Sequence, residues 1–251
     1  MTFTTIIATA YLCDYAEGVE SHNQFSPPEK NEKNRDKSTD HQHYFCGQNY
    51  ISGAWCPNCN KPLLRLLLID ASDFRLHLEI DTITKVPLLY CWTCSISQNF
   101  FSYQIIDDNR VVLISFNEGE PETDFPYNNY PVWFPGASMS LVEIPPDAQN
   151  MIYEMNRGLI KYSLARKKYP DLITARHQIG GEPLLMQRNP DYQEDKSQRA
   201  ICPRCSENAP FLAEVGNDCL DVRGIIGNDY VQILFHLCVK CRVIVAFNQT
   251  D

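Results

Sequence analysis

Short apolar runs separated by turn-forming residues make up most of this chain, and they predict a β-rich fold. Residues 100–105 and 111–116 are apolar runs on either side of Asp107-Asp108-Asn109-Arg110, which predicts a hairpin. Leu76, Leu78 and Ile80 alternate with polar residues, the period of a half-buried strand. Further strands are predicted at 229–236 and 242–247.

One segment has helical spacing instead. Apolar residues recur at Met151, Ile152, Met155 and Leu159, and Arg166-Lys167-Lys168 would suit the last turn of a helix. Asp147 is the predicted N-cap after two prolines, and Pro170 is the predicted stop. We therefore expect one connecting helix within residues 145–170.

Two polar segments interrupt the apolar pattern. Residues 17–43 contain almost no large apolar side chain, which predicts a mobile polar insertion after an N-terminal element at 1–16. The second, at 118–135, combines acids and prolines with aromatic residues and is predicted to be a loop. Aromatic residues are enriched at interface hot spots, but they also cover the edges of β-rich cores.

Four Cys-x-x-Cys pairs lie in two matching parts of the chain. The first part holds Cys56, Cys59, Cys91 and Cys94, and the second holds Cys202, Cys205, Cys238 and Cys241. An apolar run follows the first pair in each part, beginning at Pro62 and at Pro210, and an aspartate (Asp70 or Asp218) follows each proline at the same distance. This pattern indicates an internal duplication, with a first half at 44–144 and a second at 171–251.

Each set of four cysteines is predicted to bind one structural zinc ion. Two residues between cysteines allow a tight turn to present both thiolates to one ion, and two such turns complete a tetrahedral shell. Disulfides and a thioredoxin-like redox site remain alternatives, but paired Cys-x-x-Cys in a long chain without a secretory signal favours metal. The expected fold class is thus α+β and β-rich, with two pseudo-symmetric halves, each with a zinc site built from two knuckles, joined by a helix.

The remaining cysteines are Cys13, Cys46 and Cys219. Cys46 follows His41 and His43, so a third metal site is an alternative, although a solvated polar stretch is the preferred interpretation. No nucleophile elbow, zinc-protease motif or phosphate-binding loop occurs in the sequence. His77, His177 and His236 are each expected to be structural rather than catalytic.

The net charge of the chain indicates which classes of partner it can bind. The net charge is −9, which disfavours nucleic acid and anionic membranes and favours a basic protein. No segment has the apolar length to span a membrane, and the N-terminus lacks the basic region of a secretory signal, so a cytoplasmic location is expected. Within the second polar segment, acidic residues lie beside a phenylalanine, and the predicted partner-binding residues are Glu118, Glu120, Glu122, Asp124 and Phe125.

The second half resembles the bacterial YwqG-like family and the related eukaryotic programmed-cell-death-two family. The resemblance rests on Ile179-Gly180-Gly181-Glu182-Pro183, on Cys202-Pro203-Arg204-Cys205, and on the apolar runs 210–215 and 234–237. In the first half, Cys46-Gly47-Gln48 stands where the Gly-Gly-x-Pro strand would be. The resemblance implies a pseudo-symmetric β-rich fold and binding rather than catalysis.

The expected function is a non-enzymatic, zinc-stabilised protein-binding module. The resemblance implies an immunity protein that neutralises a cognate toxin, because bacterial relatives often lie near polymorphic toxin genes. It also implies the alternative of a chaperone or assembly factor for a basic client, since the eukaryotic relatives escort a ribosomal protein. An enzyme of unknown reaction is a further alternative.

Overall fold

The computed structural model describes residues 11–15, 41–91, 94, 101–116, 133, 134, 136–169, 177–185, 200–216 and 231–250. Eleven strands lie in these ranges: β1 Tyr11–Tyr15, β2 His43–Phe45, β3 Leu64–Asp70, β4 Lys85–Tyr90, β5 Phe101–Asp107, β6 Arg110–Ser115, β7 Ala137–Glu143, β8 His177–Ile179, β9 Phe211–Gly216, β10 Val231–Cys238 and β11 Val243–Thr250. Two α-helices, α1 Pro146–Asn156 and α2 Tyr162–Lys168, and a 3-10 helix at Phe74–Leu76 complete the described elements.

The described strands follow one hydrogen-bonded order, β4-β3-β2-β7-β1-β8-β9-β10-β11-β5-β6. Two three-strand units within it, β2-β3-β4 and β8-β9-β10, have the same topology and the same antiparallel pairing. Each unit contains its first Cys-x-x-Cys between the first two strands and its second at the end of the third or just beyond it. The predicted duplication and the β-rich α+β class are therefore confirmed.

The equivalence of the two units extends to their irregularities. The β3–β4 pairing contains a β-bulge at Leu66, between Arg65 and Leu67. The β9–β10 pairing contains a β-bulge at Leu212. At both bulges the carbonyl of the extra residue, Leu66 or Leu212, accepts a hydrogen bond at 2.8 Å, from the N–H of Cys46 or Gly180 respectively. A bulge bends its strand and increases the local twist, so the two halves bend at the same point.

Left-handed backbone follows β2 and β8 at matching positions. Cys46 and Gly47 have φ of 48° and 89°, and Gly180 and Gly181 have φ of 73° and 65°. The pair Cys46-Gly47 is thus the structural counterpart of Gly180-Gly181. Three of these four positions carry glycine because only glycine adopts positive φ without a steric penalty.

Each three-strand unit pairs, at the centre of the sheet, with the strand that precedes the other unit in sequence. β7, which lies between the two units in sequence, pairs with β2 of the first unit, while β1, which precedes the first unit, pairs with β8 of the second. β1 and β7 are themselves antiparallel neighbours, with Asp14 opposite Ser140. β1 and β7 therefore join the two units into one sheet.

The symmetry ends beyond the third strand of each unit. β10 pairs with β11, and β11 in turn pairs with β5 of the first half. β5 and β6 form the predicted hairpin, so residues from the first half extend the sheet of the second. The central strand pairings and this extension join the halves into one body.

The main core lies between the two units. Leu67, Leu88 and Tyr90 of the first half are completely buried in the same apolar cluster as Ile233 and Phe235 of the second. The opposite face of β9–β11 is covered by a separate cluster, which consists of Leu185, Phe211, Leu234 and Phe247. Burying both faces of the second half explains why its strands read as continuous apolar runs.

Several sequence predictions differ from the structure. The single helix predicted within 145–170 is wrong, because α1 ends at Asn156, Gly158 has φ of 71°, and a separate α2 starts at Tyr162. Pro145 rather than Asp147 occupies the N-cap of α1, without a side-chain hydrogen bond. The strand predicted through Leu76, Leu78 and Ile80 is instead a 3-10 turn and irregular chain, although all three side chains are buried.

The predicted match between Pro62 and Pro210 is also wrong. Pro62 forms a β-bridge with Trp55, and the equivalent bridge in the second half joins Ile201 to Asn208. Pro62 therefore corresponds to Asn208, and the β-bulge register equates Asp70 with Gly216 rather than with Asp218. Most of the predicted mobile insertion, residues 17–40, lies outside the described residues, and β2 begins at His43, the last residue of that predicted segment. None of the described helices is long and apolar enough to cross a membrane.

Candidate metal centres

The four Cys-x-x-Cys pairs assemble into two clusters, one in each half. Cys56, Cys59, Cys91 and Cys94 form the first cluster; Cys202, Cys205, Cys238 and Cys241 form the second. Within each cluster all four sulfur atoms lie within 4.8 Å of one another, and the second and third cysteines are 3.7 Å apart. Each group could hold a metal ion, and the described part of the chain contains no third group of this kind.

The first knuckle of each cluster has the same hydrogen bonds. The N–H of Cys56 donates to the carbonyl of Lys61, and the N–H of Cys202 donates to that of Glu207, both at 2.8 Å. The chain then turns back through a left-handed residue, Asn60 in one half and Ser206 in the other. This turn places the two cysteine side chains of each knuckle on the same side of the chain.

Backbone N–H groups also point at the sulfur atoms. Those of Asn58 and Cys59 donate to Cys56, that of Glu207 donates to Cys205, and that of Cys241 donates to Cys238. Such bonds favour the thiolate form of the sulfur that accepts them. Peptide dipoles therefore supply part of the positive environment that clustered thiolates require.

The thiols within a cluster cannot all ionise independently. A hydrogen bond from Cys91 lowers the pKa of Cys56 to about 5, and the same hydrogen bond raises the pKa of Cys91 well above its usual range. Burial and the negative charge of Cys56 likewise raise the pKa of Cys94. Four thiolates at this separation need a cation between them, so the arrangement is suited to a bound metal ion.

The two clusters differ in their surroundings. Cys56 and Cys91 belong to the main apolar core, with Cys59 and Cys94 packed against it. The second cluster packs into a small group of its own, which consists of Ala200, Cys202, Ala209, Cys238, Val243 and Val245, with Ile114 of β6 against it. In each cluster two cysteines are buried and two are partly buried, so each cluster lies at the edge of the core rather than in its interior.

The β5–β6 hairpin contacts both knuckle regions. The N–H of Val111 donates to the carbonyl of Ser52, four residues before Cys56 of the first knuckle. Gln104 donates its side-chain amide to the carbonyl of Cys241 at 3.0 Å. The hairpin therefore connects the first centre to the second.

His41, His43 and Cys46 do not form a third metal site. His43 is buried, its Nδ1 accepts the N–H of Asp70 at 3.1 Å, and its Nε2 donates to Asp73 at 2.9 Å. Burial lowers the pKa of His43, although Asp73 opposes that shift. Both ring nitrogens are engaged, so this imidazole has no lone pair for a metal or for proton abstraction.

Asp73 is the centre of this buried network, which no pattern in the sequence predicts. Its carboxylate accepts three hydrogen bonds from the Arg75 guanidinium, at 2.6 to 3.1 Å, as well as the bond from His43. Burial acts to raise the pKa of Asp73, but the bonds from Arg75 and His43 outweigh it and hold that pKa well below its usual range. Spacing alone could not reveal the contact with His43, because 30 residues separate the two positions.

His236 and His177 also lie in packed positions, whereas His77 is exposed. His236 is buried between the rings of Phe211 and Phe247, and its Nδ1 donates to the carbonyl of Ala209 at 3.0 Å. Burial lowers the pKa of His236 to about 4. The ring of His177 lies 4.7 Å from that of Phe45, across the boundary between the halves. His77 has φ of 48° and ends the 3-10 helix.

The predicted partner-binding residues Glu118, Glu120, Glu122, Asp124 and Phe125 lie outside the described residues, as do Asp218 and Cys219. Comparison of the chain with models of known protein families gives no match. A comparison with curated proteins likewise gives no match.

Proposed function

We propose that this chain is a non-enzymatic protein-binding module stabilised by two zinc ions. The observation that carries the proposal is the pair of all-cysteine clusters. A tetrahedral shell with zinc–sulfur bonds of about 2.3 Å separates its sulfurs by about 3.8 Å. The 3.7 Å separations between Cys59 and Cys91 and between Cys205 and Cys238 agree with that geometry.

Four thiolates fill the coordination shell of zinc, which leaves no position for water or substrate. An ion bound in this way holds distant parts of the chain together, and here each ion would join two knuckles more than thirty residues apart in sequence. Such a centre has a structural role. Other molecules would then bind to the surface of the protein and not to the metal ions.

The concrete form that we propose is an immunity protein that neutralises a cognate, basic toxin. The net charge of −9 supports a basic partner, since opposite charge accelerates association. The resemblance of the second half to the YwqG-like family supports the immunity role. The same charge also suits a chaperone for a basic client, the alternative that the eukaryotic part of the resemblance favours.

Affinity purification of the full-length protein from its native cells, followed by mass spectrometry, identifies the partner. We expect one basic protein in stoichiometric amount, and co-expression should protect cells from it if it is toxic. A ribosomal protein recovered without toxicity would support the chaperone. Turnover of a substrate by the purified protein would contradict the proposal.

The contact residues have their own experiment. Replacing Glu118, Glu120, Glu122 and Asp124 with glutamine, and separately Phe125 with alanine, should slow association with that partner. The on-rate of the wild-type protein should fall as salt rises, and the four-residue variant should show a weaker salt dependence. If the variants bind the partner with unchanged affinity and unchanged salt dependence, this segment does not contact the partner.

A further inference from the structure

The segment that follows α1 has a charge opposite to that of the whole chain. Residues 156–170 contain Arg157, Lys161, Arg166, Lys167 and Lys168 and no acidic residue. Within the described residues, Lys168 has an ion pair, at 3.6 Å from Asp147, whereas Lys161, Arg166 and Lys167 have none. These three cations are surplus positive charge on one part of an acidic protein.

Large apolar side chains are exposed in the same segment. Leu159 is 70% exposed and Leu164 is 57% exposed, and Tyr162 is exposed as well. Ala165 is the buried residue of α2, where it packs with Met151 and Met155 of α1. That contact fixes the orientation of α2, so Leu164 is exposed because of how the helix is anchored.

Leu164 is surrounded by lysines. Lys161 and Lys167 lie three residues before and after it, and Lys168 lies four residues after it, which are the neighbouring positions on a helix surface. An exposed leucine within a group of cations matches the boundary of a bilayer, where aliphatic side chains enter the acyl region and cations meet lipid phosphates.

Other occupants fit this surface less well. Lysine is depleted in protein–protein interfaces, whereas three lysines surround Leu164. Nucleic acid would use the cations, but its recognition relies on phosphate contacts, polar base edges and aromatic stacking, which leave exposed leucines without a role. Acidic residues elsewhere do not cancel the local field, because physiological salt screens charges beyond about 8 Å.

We propose that Leu159, Tyr162 and Leu164, together with Lys161, Arg166, Lys167 and Lys168, form a surface that binds anionic phospholipid bilayers. We call it the basic α2 surface. This inference goes beyond the proposed function and does not depend on it, since the toxin contacts were assigned to a different segment. It also qualifies the expectation, based on net charge alone, that the protein avoids membranes.

The test is co-sedimentation of the full-length protein, with whatever metal it retains on purification, with vesicles. Vesicles of phosphatidylglycerol and phosphatidylcholine in equal parts should bind the protein, and vesicles of phosphatidylcholine alone should not. Raising the salt from about 0.1 M to about 0.5 M should release most of it. Wild-type protein that stays in the supernatant with both kinds of vesicle would overturn the proposal.

Two matched pairs of variants locate the surface. Lys161→Glu/Arg166→Glu/Lys167→Glu should lower the partition coefficient at least about tenfold, since each cation near an anionic membrane contributes substantially. Lys85→Glu/Arg110→Glu/Arg204→Glu changes the net charge equally, at exposed positions elsewhere, and should have a much smaller effect. If both triple variants lose vesicle binding equally, net charge alone explains the effect, and the assignment of the binding surface to this segment is overturned.

The contribution of the exposed leucines to vesicle binding is tested with a second matched pair of variants. Leu159→Gln/Leu164→Gln should weaken vesicle binding, whereas Val112→Gln/Val142→Gln, at exposed apolar positions in strands, should not. Unchanged binding of the leucine variant would contradict insertion.

An oligonucleotide added to the same assay should not compete; if it displaces the protein from vesicles through the same lysines, the surface is a nucleic-acid site instead. Circular dichroism and zinc content confirm that each variant is folded.

Discussion

The hydroxyl of Tyr103 in β5 lies 2.7 Å from the carbonyl oxygen of Pro87 in β4 and donates a hydrogen bond to it. The same hydroxyl accepts the N–H of Leu89 at 2.9 Å. β4 ends the described strand order on that side, so a single side chain satisfies the backbone groups that another strand would otherwise pair with. Its counterpart β10 pairs with β11 instead, which is where the two halves diverge.

Removal of this hydroxyl should destabilise the protein. Tyr103→Phe leaves a buried N–H and a buried carbonyl without their partner, which costs about 1–3 kcal/mol in the free energy of unfolding. Urea unfolding followed by circular dichroism measures the change. Tyr153→Phe, which removes the hydroxyl of a partly exposed tyrosine, is the control and should be nearly neutral. Equal stability of the two variants would show that the Tyr103 hydroxyl has no such role.

Metal content tests the two centres directly. Protein purified without added zinc should contain close to two equivalents, and Cys56→Ser or Cys202→Ser should each remove about one. Because binding of a structural ion is coupled to folding, both variants should also unfold more readily. Cys46→Ala is the control, since Cys46 is buried but lies outside both clusters. Intact disulfides with no bound metal would contradict the assignment.

Asp73→Asn should be strongly destabilising. The amide keeps one acceptor oxygen but loses the charge and replaces the other oxygen with an NH2 donor, so Arg75 and His43 lose their ionic partner, which costs about 3 kcal/mol. Asp107→Asn is the matched control, because Asp107 and Arg110 form an exposed pair worth under about 1 kcal/mol. Chemical denaturation of both variants at neutral pH makes the comparison, and similar losses would contradict the buried network.

The same carboxylate should make stability fall in acid. The pKa of Asp73 is lower in the folded protein than its usual value of 3.8, so the unfolded chain binds the proton more readily. The stabilisation is fully present above that value and is lost as the pH falls below it. The free energy of unfolding measured against pH should therefore decline less steeply in Asp73→Asn than in the wild type. A decline of equal steepness in both proteins would assign the acid sensitivity to other groups.

Alanine substitutions at Gly53 and Gly158 distinguish the cost of left-handed backbone from the cost of a steric clash. Gly53 and Gly158 both have positive φ, but a Cβ at Gly53 would lie 2.1 Å from the carbonyl oxygen of Val111, whereas one at Gly158 would meet nothing within 4 Å. Gly158→Ala should cost about 1–2 kcal/mol, the penalty for left-handed backbone. Gly53→Ala should cost clearly more and disturb the contact between β6 and the first knuckle. Thermal unfolding of the two variants compares them, and equal losses would contradict the close approach.

The spacing of the cysteines was enough to predict both four-cysteine clusters. A Cys-x-x-Cys turn is a local structure, so its geometry is determined by a few consecutive residues and can be recognised without the rest of the fold. The hairpin at β5–β6 and the strands that flank the last knuckle were predicted for the same reason. Apolar periodicity failed in two places for different reasons: the left-handed backbone at Gly158 breaks the helical pattern locally, whereas packing buries Leu76, Leu78 and Ile80 without forming a strand.

Tertiary structure alone decided how the halves are joined. Nothing in the sequence near Tyr11 or Ala137 indicates that β1 pairs with β8 and β7 with β2, because strand pairing depends on backbone groups that every residue carries. The same holds for Tyr103 beside Pro87 and for His43 beside Asp73, whose partners are distant in sequence. The chain's own sequence determined its two sets of paired cysteines and most of its strands, since these follow from local spacing and periodicity. The central strand pairings and the buried polar contacts came from the packing of the two halves into one core, which no single segment encodes.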